Sequence, residues 1–319
     1  MGEEIKELNP LGYKPVGKLL KSLAIPAIIA NLVNALYNVV DQIFIGQGIG
    51  YLGNAATNIA FPITTMCLAI GLTLGIGGAS NFNLELGKGY PEKSKHTAGT
   101  AASTLIIIGI ILCITVRIFL EPLMIGFGAT NKILEYSMEY TGITSYGIPF
   151  LLFSIGVNPL VRADGNAKYS MIAIVIGAIL NTILDPLFMF VYNLGIAGAA
   201  WATVISQIIS ALLLLIYFPK FKSVKFSLND FIPQLHYLKR IISLGFASFI
   251  YQFSNMIVLI TTNNLLKIYG KNSIYGSDIP IAVFGIVMKI NVIFIAIVLG
   301  LVQGAQLIFG FNYVSKNYH

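Results

Sequence analysis

Asp41, Asn181, Asp185 and Thr203 are oxygen-bearing side chains set in apolar surroundings. The clearest case is the stretch NTILDPLFMF, where Asp185 and Pro186 interrupt an apolar run from about Tyr169 to Tyr192. Such a run is long enough to cross a bilayer, which takes roughly 20 residues. A carboxylate at that depth costs about 3 kcal/mol on insertion scales, so it is kept where it serves an ion or substrate path. Asn181 precedes Asp185 by one helical turn and shares its face. At ~1.5 Å per residue, Asp185 lies about 24 Å along its span and Asp41 about 33 Å along a long, tilted one, both in the outer half. Thr203 lies about 10 Å below the outer surface on the next helix. The four sit at matched depth, where oxygen ligands suit a hard cation and neighbouring carboxylates suit a shared proton. The expected chemistry is reversible binding of Na⁺ or H⁺, with no cofactor.

Two prolines accompany these oxygens. Pro26 lies in the inner third of the first span and Pro186 directly follows Asp185. Each removes a helix hydrogen bond and bends the axis. A bend beside a carboxylate fits a cation site or a moving element, although prolines in spans also serve packing alone. Lys289, midway along the last apolar run, is read as binding an anion, pairing with a carboxylate, or snorkelling to the interface. Asn34, Tyr37, Asn38, Gln207 and Gln252 are candidate cleft-lining residues, with interhelical hydrogen bonding as the bland alternative. Glu85 falls near a helix end, where it is expected to reach water.

These side chains must be positioned by helices. The chain has 319 residues, 56% hydrophobic and 10% charged, against about 25% charged in soluble domains. Apolar runs at roughly 19–45, 54–82, 97–119, 135–160, 169–192, 196–218, 239–268 and 279–309 give eight predicted transmembrane helices and an all-α polytopic membrane protein. With the N-terminus inside, fifteen of the twenty lysines and arginines fall on inner segments, so both ends are expected to be cytoplasmic. The net charge of +7 is then a topology signal, and no nucleic-acid partner is expected.

Residues 219–238 form the longest polar connection. It divides a six-helix N-lobe, 1–218, from a two-helix partial C-lobe, 239–319. The last two helices resemble a second copy of the first two: GGASNFNLELGKG and QGAQLIFGFNYVSK share a glycine-rich stretch, a Gly-Ala pair and a basic exit. A two-lobe architecture needs about four more spans, so the chain is expected to be C-terminally truncated.

Other classes leave little trace. Cys67 and Cys113 lie in apolar segments, and His96, His236 and His319 fall in loops or at the end. No GxSxG or HExxH is present, and no enzyme is expected.

The segment RADGNAKYSMIAIVIGAILNTILDPLFMFVYNLGIAGAAWATVISQ resembles the MATE (multidrug and toxic compound extrusion) transporters. Arg162, Gly165, Asn166 and Tyr169 match the family's Arg-x-x-Gly-Asn-x-x-Tyr loop. Asn181, Asp185 and Pro186 match Asn-x-x-x-Asp-Pro, and Asp41 with Gly46 match the ending of helix one. The resemblance implies twelve helices in two lobes around a cleft, and export of organic cations driven by Na⁺ or H⁺. It also implies a cation or proton site at Asp41, Asn181, Asp185 and Thr203, and a bend at Pro26 linked to protonation. The chain departs from the pattern after the helix-two glycines and at Gln252, where other branches carry an acid.

The reading is therefore a monomeric antiporter of the plasma (inner) membrane, working in the lipid bilayer by alternating access. A flippase for lipid-linked oligosaccharides is the alternative within the superfamily, disfavoured because Lys289 is the one clear cation at mid-membrane depth. A fragment that no longer transports is the other.

Overall fold

The computed structural model describes residues 15–314, apart from the side chains of Asn34, Leu307 and residues 310–314. Asn34 and the final GFNYVSKNY segment therefore lie outside the described side chains. In chain order the helices are α1 Val16–Gly48, α2 Tyr51–Gly87, α3 Pro91–Ile118, the short α4 Leu120–Gly126, α5 Asn131–Thr144, α6 Ile148–Ala163, α7 Ala167–Pro186, α8 Gly195–Tyr217, α9 Leu235–Gly270 and α10 Asp278–Val314. Among the described residues, eight helical spans are long and apolar enough to cross a membrane, and they coincide with the eight read from the sequence. Most run a turn longer than their apolar cores, because helix propagation is cheap once begun and residues such as Pro91 suit a first turn.

The fourth span is not one rod. A single 3₁₀ turn, Ser145–Gly147, separates α5 from α6. Pro149 has no N–H for the Ser145 carbonyl, which breaks the α ladder there. Arg117 satisfies part of the interruption by donating to the Gly142 carbonyl at 2.9 Å. In the fifth span Pro186 has a related effect. The α-helical bonds give way to a π segment at Leu187–Val191, with Tyr192 N–H donating to the Leu187 carbonyl at 3.0 Å. At Pro26, by contrast, α1 runs through as one continuous helix.

The core of the first six spans gathers around Leu74, Phe82, Leu105, Leu152, Leu160 and Leu214, all buried. The last two helices pack onto the first two: α9 lies along α2, and α10 along α1 and α2. Small residues allow these approaches. A Cβ on Gly245 would collide with the Thr73 backbone, and one on Gly77 with that of Ile241. Gly300 and Gly304, a GxxxG pair, meet the backbone of Ile28 and Ala24, where a Cβ on Gly304 would sit 2.8 Å from the Ala24 Cα.

The outer surface is apolar. Phe246, Ile250, Ile257 and Val258 of α9 and Val287, Phe294 and Val298 of α10 are exposed. A patch this continuous is untenable in water but suits hydrocarbon, where helices satisfy their own backbone. This is a multi-pass membrane protein.

The connection between α8 and α9 is a packed strap. Phe218, Phe221, Phe226 and Phe231 stack with ring centroids 5.1–5.6 Å apart. Asp164 pins it by accepting from the Tyr217 hydroxyl at 2.8 Å and the Ser223 N–H at 2.9 Å. Asp230 accepts from the Ser227 N–H at 2.7 Å and lies 3.0 Å from His96. Burial would push the Asp230 carboxyl up, but the Ser227 donors and the neighbouring Lys95 and His96 outweigh it and hold it below the usual range. Glu85 does not reach water as expected. It is 3% exposed because the first turns of α9 cover it, and Arg240 pairs with it at 3.0 Å and Lys88 at 3.1 Å.

Candidate functional site: an incompletely paired carboxylate cluster

Three helices bring the predicted oxygens together. Asn181 and Asp185 lie one turn apart on α7, and the Asn181 amide donates to Asp185 Oδ1 at 3.2 Å and to Thr203 Oγ1 of α8 at 3.4 Å. Asp41 of α1 completes the group, its carboxyl within hydrogen-bonding reach of that of Asp185. Asp41 is 5% exposed, Asp185 0% and Asn181 1%.

The cluster is short of donors. Among the described residues, Asp41 Oδ1, Asp185 Oδ2 and Asn181 Oδ1 are buried and have no hydrogen-bond partner. An unpaired buried oxygen costs about 1–3 kcal/mol, more when charged, and two adjoining buried carboxylates repel if both are ionised. A proton or a hard cation relieves both penalties, and carboxylate, amide and hydroxyl oxygens are the donor set such a cation takes.

The site opens into two cavities. One, of about 90 Å³, is lined by Asp41, Asn38, Tyr140, Thr57 and Lys289 among others. The other, of about 150 Å³, is lined by Asn31, Asn181, Ser206, Arg162 and Gln303 among others. Tyr37, Leu151, Thr203 and Gln207 line both, so the cavities adjoin end to end past the cluster. Each holds several water volumes, at about 30 Å³ each.

The remaining predicted residues divide. Tyr37, Asn38, Gln207 and Lys289 face these cavities. Lys289 does not snorkel: it is 8% exposed and donates to Gln42 Oε1. Gln42 also bonds Asn54 and accepts from Thr57, so α10 is tethered to α1 and α2 beside Asp41. Gln252 lies half-buried on α9 and lines neither of these two cavities. Pro186 sits where the α bonds end, next to the cluster. Pro26 is buried, well below it on α1.

Sequence reasoning missed Tyr140 and Arg162 as lining residues and Gln42 as the partner of Lys289. Gln42 adjoins Asp41 in DQIFIG, a polar pair at depth that could have flagged it. Arg162 was read only as an inner-side charge and loop residue, and Tyr140 is indistinguishable by type from packing aromatics.

A family model described as MatE matches residues 26–187. That stretch begins at Pro26, ends just past Asp185 and Pro186, and covers half of the chain.

The chain belongs to the MatE family.

Relatives agree with the match. The multidrug export protein MepA of Staphylococcus haemolyticus is 25% identical over 304 residues, covering 94% of this chain and 65% of the relative. MepA of Staphylococcus aureus strain MRSA252 is 26% identical over 304 residues, covering 95% and 66%. A solved structure of the MATE multidrug transporter DinF-BH superposes with a TM-score of 0.88 at 34% identity, covering 95% of this chain and 67% of that one. The chain thus spans about two thirds of the length of the MatE relatives it matches.

Proposed function

We propose that this MatE-family chain acts in secondary active antiport, exporting organic cations in exchange for Na⁺ or H⁺ by alternating access. The observation that carries the proposal is the incomplete pairing of Asp41 and Asp185 beside two adjoining cavities at membrane depth. The cluster would take the coupling cation or proton. Neutralising the carboxylates would change which packing of α1 against α7 and α10 is favoured, and affinity for cargo in the cavities would shift with it, since coupling between sites is reciprocal. The similarity to multidrug export proteins supports transport over catalysis as the class of function. The basic loops gathered at one end support a plasma-membrane orientation with both ends cytoplasmic, and a monomer suffices, because the site lies within one chain.

The test is ethidium efflux from vesicles carrying the chain under an imposed Na⁺ or proton gradient. Gradient-dependent efflux is expected, and Asp185→Asn should abolish it. Normal efflux in that variant would overturn the assignment.

The flippase reading gains one observation, since Arg162 adds a second cavity-lining cation to Lys289. Stimulation by lipid-linked diphosphates and not by ethidium-like cations would favour it.

A further inference from the structure

We infer that Arg162 seats the anionic group of the transported molecule, a carboxylate carried on an aromatic, cationic body; this rests on the drug-transport reading above. Arg162 lies in the last turn of α6 and is 6% exposed. Its burial needs an account, since a guanidinium taken out of water is costly unless it meets a counter-charge, acceptors or water. Among the described residues no carboxylate forms an ion pair with it. Its one acceptor among the described residues is Gln303 Oε1 of α10, at 2.8 Å from Nη1. That oxygen is shared, because Asn31 Nδ2 also donates to it at 3.4 Å.

A guanidinium has five N–H donors in a planar fork. Among the described residues one is engaged, and none of the Arg162 nitrogens is among the atoms sealed from space without a partner. The free edge of the fork therefore opens into the larger cavity, which Arg162 lines. Ser206, buried with an unpartnered hydroxyl, lines the same cavity. The helix dipole favours a cation in a last turn, but that alone would leave the side chain on its own carbonyls or in water. Here it crosses to α10 instead. A planar fork with a free edge matches a carboxylate bidentately.

The cavity pair is thereby polarised. The Asp41 carboxylate lines the smaller cavity, and the guanidinium lines the larger one, nearer the end carrying the basic loops. The Asn31 level, which Arg162 shares through Gln303, is about 15 Å from Asp41 along α1 at ~1.5 Å per residue. A zwitterion fits this field in one orientation, with its anion at Arg162 and its cationic body towards Asp41 and Asp185.

The test uses two rhodamines that differ only in a free carboxylate against its ethyl ester, with binding to the purified full chain read by fluorescence polarisation. The acid should bind about tenfold more tightly than the ester, the worth of a charge-assisted hydrogen bond. Arg162→Gln should weaken the acid to the level of the ester and leave the ester unchanged, which also reports a folded protein. Arg162→Lys, keeping charge but losing the fork, should reduce the preference without removing it. Inorganic phosphate that displaces the acid and spares the ester would still place an anion at Arg162, with a free ion as its source. Equal binding of the two dyes by the unaltered chain, or a preference that survives Arg162→Gln, overturns the inference and leaves the transport reading standing. If neither dye binds, both fall.

Discussion

Asp164 and Asp185 are aspartates buried to 6% and 0% exposure, one just before and one near the end of the same helix α7. Asp164 is fully served: the Tyr217 hydroxyl reaches one oxygen, the Ser223 N–H the other, and the Lys222 N–H both. Asp185 receives the Asn181 amide on one oxygen and, among the described residues, no donor on the other beyond the neighbouring Asp41 carboxyl. The contrast holds more widely. Glu85 and Asp230, at the basic end, have lysine, arginine, histidine or backbone donors, whereas Asp41 joins Asp185 in leaving an oxygen open. Carboxylates whose donors are supplied by the protein pin loops and helix ends. Carboxylates left short of donors retain capacity for something that comes and goes.

The largest expected effect lies at Asp185. Asp185→Asn should remove gradient-driven efflux almost entirely while leaving thermal unfolding unchanged or slightly later, because an unrelieved buried charge is gone. Loss of folding in place of loss of coupling would break the contrast. At Asp164 the opposite balance is expected. Asp164→Ala strands the Tyr217 hydroxyl and two backbone N–H groups, and denaturant unfolding should show a loss of about 3 kcal/mol with the ion dependence of dye binding intact.

Asp230 sharpens the contrast through pH. Its carboxyl is held low in the folded state, so its contribution is fully present above the unfolded value near 4 and is lost as pH falls through the lower folded value. Native protein should lose thermal stability below about pH 4, and Asp230→Asn should start lower and show less of that fall. The smallest effect belongs to Thr203, one oxygen among several. Thr203→Ala should weaken cation competition about threefold, measured against dye binding.

Much of this was legible in the residues. Eight spans follow from apolar runs, since a bilayer sets their length. Asp41, Asn181, Asp185 and Thr203 converge as depth counting predicts, because helical rise converts sequence position into height. What counting did not give is direction around each helix. It left Gln252 a cleft candidate although that side chain lines neither of the two cavities, and it left Glu85 in water although α9 covers it. Nor did it show the 3₁₀ turn at Ser145–Gly147, where Pro149 acts on a bond four residues earlier. Arg162 was hidden for a related reason: at a helix end a basic residue reads as a topology charge, and only its contact with Gln303 of α10 turns it inward.

Capture of the coupling cation by the open oxygens of Asp41 and Asp185 is tested most directly by dye affinity. The purified chain is titrated with rising Na⁺ at high pH, and separately with falling pH in the absence of Na⁺. One of the two ions should weaken dye binding at least about tenfold, a typical allosteric coupling, and the response should be flat in Asp41→Asn and Asp185→Asn. An ion response of undiminished size in both variants would contradict it.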